Sequence, residues 1–143
     1  MNVTVASHAV IYREGNVLIV RRSETDDKRP LQWDLPGGIG DDDEEFNLAC
    51  SREIKEETGI EIGPDQLRLA YAQTEYFPQN DNNVTWLIFV AESKETDVKL
   101  SYEHDMFEWV SLDEAISRID YARYKGALKH LKATGNLVQT SKK

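Results

Sequence analysis

Runs of apolar, β-branched and aromatic residues recur along the chain, and each run predicts a β-strand. The predicted strands cover residues 3–12, 17–22, 33–36, 67–77, 84–91 and 106–110. Glu14-Gly15-Asn16 separates the first two runs and predicts a hairpin turn between them. The turn-rich segment from residue 78 to 83 indicates that the two long later strands run antiparallel.

Three other segments repeat their apolar residues at the spacing of an α-helix. The predicted helices cover residues 46–58, 112–119 and 121–133, and Ser111 supplies an N-cap for the second of them. Strands and helices thus both contribute to the predicted fold. With 143 residues the chain is expected to form one domain over residues 1–143, with a flexible tail at residues 138–143.

The net charge of −9 is concentrated in one part of the chain. Residues 41–57 contain eight acidic and two basic side chains, so they contribute −6 and leave −3 for the other residues. Because the sequence has no basic cluster, duplex nucleic acid and anionic membranes are not expected as partners. A small nucleotide that carries its own metal ion is compatible with this charge.

The first residues contain neither a basic head nor a long apolar segment, so no signal peptide is expected. No apolar run reaches the roughly 20 residues that a membrane-spanning helix needs. These features predict a cytoplasmic protein. The single cysteine, Cys50, cannot form an internal disulfide and is expected in the core rather than as a nucleophile.

The acidic segment places three carboxylates on one side of the predicted helix 46–58. At about 100 degrees per residue, Glu56 and Glu57 lie within about 60 degrees of Glu53. Phe46 and Cys50 fall on the same arc, so the acids continue the apolar stripe that faces the core. Like charges at this spacing repel, and burying them is costly without a cation. Bound Mg²⁺ or Mn²⁺ would compensate the three negative charges. The alternative interpretation is an acidic helix whose carboxylates are exposed to solvent.

The segment around this helix resembles the Nudix box, which is Gly, five residues, Glu, seven residues, then Arg-Glu-aliphatic-any-Glu-Glu-any-Gly-aliphatic. It begins at Gly38, ends at Ile60 and reads GIGDDDEEFNLACSREIKEETGI, so all nine specified positions are filled. The chain is therefore similar to small, single-domain, MutT-like members of the Nudix hydrolase family. This resemblance implies an α/β/α sandwich with a mixed β-sheet between helices, in a monomer or homodimer.

The same resemblance implies roles for individual residues. Glu53, Glu56 and Glu57 would be catalytic residues that bind the metal. The turn at Gly37 and Gly38 would let the backbone approach the substrate closely, and a main-chain carbonyl of this loop commonly supplies a further metal ligand. These five residues form the expected centre of the site.

The resemblance to the Nudix family also implies roles for three arginines. Arg52 would orient and charge-balance Glu53 or Glu44 without transferring a proton itself. Arg21 and Arg22 end the second predicted strand, where many relatives carry an arginine near the substrate phosphates. Because adjacent strand residues point to opposite faces, at most one of the two reaches the site, and Arg22 is preferred.

Glu103 precedes the last predicted strand and resembles a family segment whose acid reaches the metal or the attacking water, so it is the candidate general base. Relatives differ in where this base comes from, and the box leaves its identity open. His8 and His130 are expected to be packing or surface residues. Four aromatic residues either stack on a nucleobase or belong to the core: Tyr76, Phe77, Tyr121 and Tyr124.

Nudix hydrolases cleave a nucleoside diphosphate linked to another group. The resemblance therefore implies metal-dependent hydrolysis of a pyrophosphate linkage, with an intact or damaged nucleoside triphosphate favoured as the substrate. Its products would be a nucleoside monophosphate and pyrophosphate. ADP-ribose and dinucleoside polyphosphates are the alternative substrates, and a non-catalytic nucleotide sensor or a structural metal-binding domain would be a different kind of protein. The number of metal ions and the phosphorus that is attacked stay open.

Overall fold

The computed structural model describes residues 1–135. The strands are β1 (Asn2–Arg13), β2 (Asn16–Arg22), β3 (Trp33–Asp34), β4 (Gly37–Ile39), β5 (Arg68–Phe77), β6 (Asn82–Glu92) and β7 (His104–Ser111). The helices are α1 (Phe46–Thr58), α2 (Leu112–Arg118) and α3 (Ala122–Thr134). Two short 3₁₀ turns cover Pro64–Gln66 and Pro78–Asn80.

The strands of the described residues form one mixed sheet. Its main order is β3-β2-β1-β6-β5, while β4 also pairs with β1 and β7 also pairs with β2. β1 and β6 run parallel, from Asn2 opposite Asn82 to Tyr12 opposite Glu92. The other pairings are antiparallel. β1 is therefore the central strand, and its middle supports the short strand β4 that leads towards α1.

Alternating side chains on the strands divide the core into two halves. On β2, Val17 and Ile19 pack into one half while Leu18 and Val20 pack into the other, and all four are fully buried. Helices α2 and α3 cover the first half, and α1 covers the second through residues such as Ile54. The predicted α/β/α sandwich with a mixed sheet is thereby confirmed.

Most element boundaries agree with the sequence pattern. The helix predicted at residues 46–58 is confirmed at both ends, and Ser111 caps α2, since its hydroxyl oxygen accepts a hydrogen bond from Glu114 N at 3.1 Å. The strand predicted at residues 33–36 is shorter in the structure, where β3 ends at Asp34. Pro36 has no N–H to donate to a neighbouring strand, and it separates β3 from β4. The predicted tail at residues 138–143 lies outside the described residues. None of the helices within residues 1–135 has the length and apolar character that crossing a membrane requires.

Cys50 lies on the inner face of α1 and is fully buried. Burial and the nearby charges of Glu57 and Glu53 raise the pKa of its thiol to about 12. The thiolate is therefore not formed near neutral pH. The prediction that Cys50 is a core residue rather than a nucleophile is confirmed by this position.

Replacing Ile54 with Ala is expected to lower the free energy of unfolding by about 2 to 5 kcal/mol, because the side chain is fully buried between α1 and the sheet. Leu48→Ala on the same helix is the matched control. Leu48 is 45% exposed, so its truncation should change that free energy by less than about 1 kcal/mol. Urea denaturation followed by circular dichroism measures both variants. Equal losses would contradict the packing of α1 against the sheet.

Candidate active site

A cleft of about 430 Å³ collects polar side chains from elements that are far apart in the sequence. Its walls come from β1, the end of β2, β3, β4, α1, β6 and the start of α3, together with the loop at residues 23–32 and the residues around the start of β7. A wider hollow of about 680 Å³ lies along the outer side of α1. The acids of that hollow, Glu56 and Glu61, are exposed and paired with Arg52 and Lys55, so the cleft is the better candidate site.

Glu53 and Glu57 face the cleft from neighbouring turns of α1. The side chain of Glu53 is 17% exposed, and Glu57 is 4% exposed. Burial raises the pKa of both carboxyl groups, and their mutual repulsion raises that of Glu57 further. The carboxyl group of Glu57 accepts a hydrogen bond from Gly37 N at 3.2 Å. Burial and mutual repulsion thus disfavour the ionised form of both carboxyl groups, and the pair is short of positive charge.

The expected turn at Gly37 and Gly38 forms the first two residues of strand β4, and its backbone passes closely over this pair because neither residue has a side chain. Gly37 has a φ of +142°, and a Cβ atom there would overlap the Ser7 carbonyl oxygen and the His8 side chain. A Cβ atom on Gly38 would lie 2.9 Å from the carboxyl carbon of Glu53. β4 can therefore lie against β1 only with glycine at position 37, and a side chain at position 38 would displace the carboxyl group of Glu53.

Arg52 binds the outer side of this carboxylate group. Its Nε and Nη2 atoms donate to the two oxygens of Glu44 at 2.8 and 2.9 Å, and its Nη1 atom donates to Glu56 at 3.1 Å. Nη2 also lies 3.5 Å from an oxygen of Glu53. The bonds from Arg52 hold the pKa of Glu44 down to about 2. These contacts are consistent with the expected orienting role, since they include both glutamates named for it.

Glu56 differs from the expectation that three carboxylates share one inward face. Its side chain is 57% exposed and does not line the cleft. The reason is that Arg52, one helical turn earlier, binds the carboxylate on the outer side of α1. Among residues 1–135, no three His, Cys, Asp or Glu side chains already form a metal-binding group. Glu56 would have to leave Arg52 to join Glu53 and Glu57.

The donor set on this side of the cleft nevertheless fits a hard divalent cation. It consists of the carboxylate oxygens of Glu53 and Glu57 and the backbone of the Gly37-Gly38 turn that lies against them. Oxygen donors of this kind are the ligands that Mg²⁺ and Mn²⁺ prefer. A cation would also relieve the repulsion between the two buried acids. The residues present therefore suit the metal that the sequence predicts.

Glu103 lies in the loop before β7 and lines the same cleft, although it is exposed to solvent. Its charge contributes to the raised pKa of Glu53 and of Glu57, so it acts on both through space. Two backbone bonds hold this loop, from Ser101 N to Glu57 O at 3.3 Å and from Ser23 N to Glu103 O at 3.0 Å. The predicted base is thus brought beside the predicted metal ligands.

Arg21 and Arg22 diverge at a β-bulge between β2 and β7. The register shifts between them, with Arg21 opposite Met106 and Arg22 opposite His104. Arg21 donates to both carboxylate oxygens of Asp105, at 2.9 and 3.1 Å, and does not line the cleft. Arg22 does line it. The structure therefore brings the preferred arginine to the site and directs its neighbour away.

Sequence reasoning missed the residues that hold Arg22. Its Nη1 atom donates to Asp34 at 2.9 Å, and its Nη2 atom donates to Asp26 at 2.6 Å. Arg29 donates to the same Asp34 oxygen at 3.2 Å, and its guanidinium carbon lies 4.0 Å from the centre of the Tyr121 ring. The sequence did contain one signal for these contacts, because Asp34 lies inside a predicted strand. A charged side chain that is buried in a sheet needs oppositely charged or hydrogen-bonding partners.

Two of the four aromatic candidates, Tyr121 and Tyr124, line the cleft. Tyr124 OH and His8 Nε2 are 2.8 Å apart, and His8 Nδ1 lies 2.8 Å from Leu35 O. Burial lowers the pKa of His8, so the neutral ring donates to Leu35 O and accepts from Tyr124. His8 is thus a packing residue, as expected, that also forms part of the cleft wall. The other two aromatic candidates lie outside the cleft: Tyr76 and Phe77.

Comparison with known proteins identifies the family. The model of the NUDIX domain matches residues 2–131. A MutT-like protein of Streptomyces ambofaciens is 29% identical over 110 residues, which cover 77% of this chain and 64% of that protein. The asymmetrical bis(5'-nucleosyl)-tetraphosphatase of Rattus norvegicus is 30% identical over 99 residues, which cover 68% of this chain and 67% of that enzyme. The chain spans about two thirds of the length of these two curated relatives.

The fold agrees with this assignment. The crystal structure of the MutT protein from Methanosarcina mazei Go1 matches with a TM-score of 0.77 at 29% identity, and the match covers 94% of this chain and 96% of that one. The family model includes α1, the Gly37-Gly38 turn and Glu103, which together form the carboxylate side of the cleft. Because the family model covers most of its length, the chain belongs to the Nudix family.

Proposed function

We propose that the chain is a metal-dependent hydrolase that cleaves a pyrophosphate linkage in a nucleoside diphosphate derivative. The observation that carries this proposal is the pair of buried Glu57 and partly buried Glu53 against the backbone of Gly37 and Gly38, in a cleft that also contains Arg22. Membership in the Nudix family supports the same reaction class. A nucleotide sensor without catalysis is the rival function, and the complete set of carboxylates argues against it.

Glu53, Glu56 and Glu57 would hold Mg²⁺ or Mn²⁺, together with a main-chain carbonyl of the glycine turn. A bound ion would neutralise the pyrophosphate oxygens and make an attacking water more acidic. Arg52 keeps Glu44 ionised and orients Glu44 and Glu56 through the contacts described above. The burial of Glu57 keeps bulk water away from the inner ligands. Catalysis is then mainly positioning and charge compensation, without a covalent intermediate.

Glu103 is the proposed general base. Its carboxylate lines the cleft and stays open to solvent, so it can accept a proton from the attacking water and release it to bulk water. The loop that carries Glu103 is bonded to the backbone of Glu57, which keeps the base close to the metal ligands. Glu53 and Glu57 are assigned to the metal in this scheme.

A nucleoside triphosphate is the favoured substrate, with a nucleoside monophosphate and pyrophosphate as products, and the cytoplasm is the expected location. Arginines in the cleft suit the phosphates, and Tyr121 offers an aromatic surface at the same wall. A dinucleoside polyphosphate is the second candidate, because the relative from Rattus norvegicus is named for that substrate class. ADP-ribose is the third.

The reaction is tested by incubating the purified protein with nucleoside triphosphates, dinucleoside polyphosphates and ADP-ribose in Mg²⁺ or Mn²⁺. We expect a triphosphate to yield monophosphate and pyrophosphate, and EDTA to stop the reaction. Orthophosphate and a nucleoside diphosphate as first products would contradict the cleavage position. Absence of product from every substrate class would contradict the proposal. Oxygen-labelled water and mass spectrometry then identify the phosphorus that is attacked.

Glu53→Gln and Glu57→Gln are each expected to lower kcat by at least about 100-fold, because a neutral amide stabilises a bound cation less than a carboxylate does. Glu61→Gln is the control, since Glu61 pairs with Lys55 on the outer side of α1 and should leave kcat within about twofold. Steady-state rates at saturating Mg²⁺ measure all three. Wild-type turnover in either pair variant would remove that residue from the metal site.

In the metal-free protein, Glu57→Gln is also expected to change how the free energy of unfolding depends on pH. The pKa of Glu57 rises from its ordinary 4.5 to about 9 on folding, so the unfolded chain loses this proton first. The free energy of unfolding of the wild type should therefore fall as pH rises between these two values. The variant has no such proton and should become increasingly more stable than the wild type over that range. Urea denaturation in EDTA at several pH values measures the difference, and a pH-independent difference would contradict the buried acid.

Glu103→Gln is expected to lower kcat by about 100-fold or more while the Mg²⁺ concentration for half-maximal activity stays nearly constant, because the amide cannot accept a proton. Glu95→Gln is the control, because Glu95 lies in the same connection between β6 and β7 without lining the cleft. An unchanged pH–rate profile in Glu103→Gln would exclude Glu103 as the base.

A further inference from the structure

Asp34 is a buried carboxylate that binds two arginines at the wall of the cleft. It lies on β3 and is 1% exposed. Its Oδ2 atom accepts hydrogen bonds from Arg22 Nη1 at 2.9 Å and from Arg29 Nη2 at 3.2 Å, while Oδ1 accepts one from Leu35 N at 2.9 Å. Both oxygens of the carboxylate are therefore satisfied, and the two guanidinium groups are held side by side.

The positive charge gathered here exceeds what Asp34 needs. Arg22, Lys28 and Arg29 all line the cleft, and the acids that pair with these arginines are Asp34 and Asp26. A single arginine would be enough to neutralise a buried aspartate. Lys28 has no ion pair within residues 1–135. The three cations and two acids therefore leave an excess of positive charge on this wall, opposite in sign to the carboxylate side.

The two guanidinium groups also retain unused donors. A guanidinium group has five N–H bonds, and the hydrogen bonds to Asp34 and Asp26 use two of those of Arg22 and one of those of Arg29. Guanidinium groups with available N–H bonds match the oxygens of a phosphate. The loop that carries Lys28 and Arg29 is tied down by Asp26, whose Oδ1 atom accepts from their backbone N–H groups at 2.9 and 2.8 Å. The cations are thus in place before a ligand binds.

We propose that Asp34 is a positioning residue that holds Arg22 and Arg29 as an anion-binding pair for a phosphate group of the substrate. Because this phosphate belongs to the same cleft, the inference rests on the proposed function. The phosphate in question lies beyond the pyrophosphate that is held beside Glu53 and Glu57. Substrates with three or more consecutive phosphates therefore gain a contact that ADP-ribose lacks, since its second phosphate is followed by a neutral sugar.

Steady-state kinetics of Asp34→Asn and Arg29→Gln test this role. For a nucleoside triphosphate, both variants should raise KM at least about tenfold and change kcat by less than about threefold, because a charge-assisted contact to bound substrate is lost. The KM or inhibition constant for ADP-ribose should change by less than about twofold, and Arg29→Lys should give an intermediate KM. Asp105→Asn is the matched control, since Asp105 binds Arg21 outside the cleft, and its KM values should equal those of the wild type.

Calorimetric titration with inorganic tripolyphosphate in EDTA tests the same pair without catalysis. The wild type should bind, and Asp34→Asn should bind at least about tenfold more weakly while its circular dichroism stays that of a folded protein. If Asp34→Asn does not fold, the tripolyphosphate affinity of Arg29→Gln tests the proposal instead. The Arg29 side chain is 21% exposed, so its replacement disturbs the fold less.

The two experiments separate the inference from the proposed function. A wild type that hydrolyses no nucleotide, but whose tripolyphosphate binding depends on Asp34, overturns only the proposed function. Equal tripolyphosphate affinity in wild type and variants overturns the positioning role of Asp34. An equal loss of affinity for the triphosphate and for ADP-ribose would also overturn this role. A fall in kcat at constant KM would overturn it as well.

Discussion

The docking of an acidic helix against the sheet is the constraint on which the rest of the structure depends. α1 buries Ile54 in the core, and the same helix carries Glu53 and Glu57 to the wall of the cleft. Two like charges are costly to bury, so the pKa of both carboxyl groups is raised, and Gly37 N donates a hydrogen bond to Glu57. Gly37 supplies this bond from a backbone that lies too close to Ser7 and His8 for a side chain, and Gly38 lies against the carboxyl group of Glu53.

The cleft has two sides of opposite charge, and one short segment links them. Asp34 binds the arginines, while Gly37, three positions later, bonds Glu57. The carboxylate side suits cations, and the arginine side suits anions, so a phosphate chain with its metal ion can contact both. Because β3 and β4 are both anchored in the sheet, the relative position of the two sides is set by the fold rather than by a mobile loop.

Local periodicity explains which parts of the site could be predicted. A helix turns by a constant angle per residue, so the inward direction of Glu53 and Glu57 follows from their spacing to buried neighbours such as Ile54. The same angle did not predict the position of the Glu56 carboxylate, because a long side chain can bend away from its Cβ direction. Arg52, one turn earlier, binds that carboxylate on the outer side of the helix.

By itself the sequence determined the chemistry of the carboxylate side, because the box is contiguous and lies largely on one helix whose geometry is local. It also determined the helical segments and the hairpin, which depend on short-range patterns. Only the tertiary structure decided that Arg22 rather than Arg21 reaches the cleft, that Asp34 holds Arg29 there, and that His8 meets Tyr124 across 116 positions. Such contacts depend on strand order, on a bulge in the register and on which helix covers which face, and none of these is encoded in the spacing of neighbouring residues.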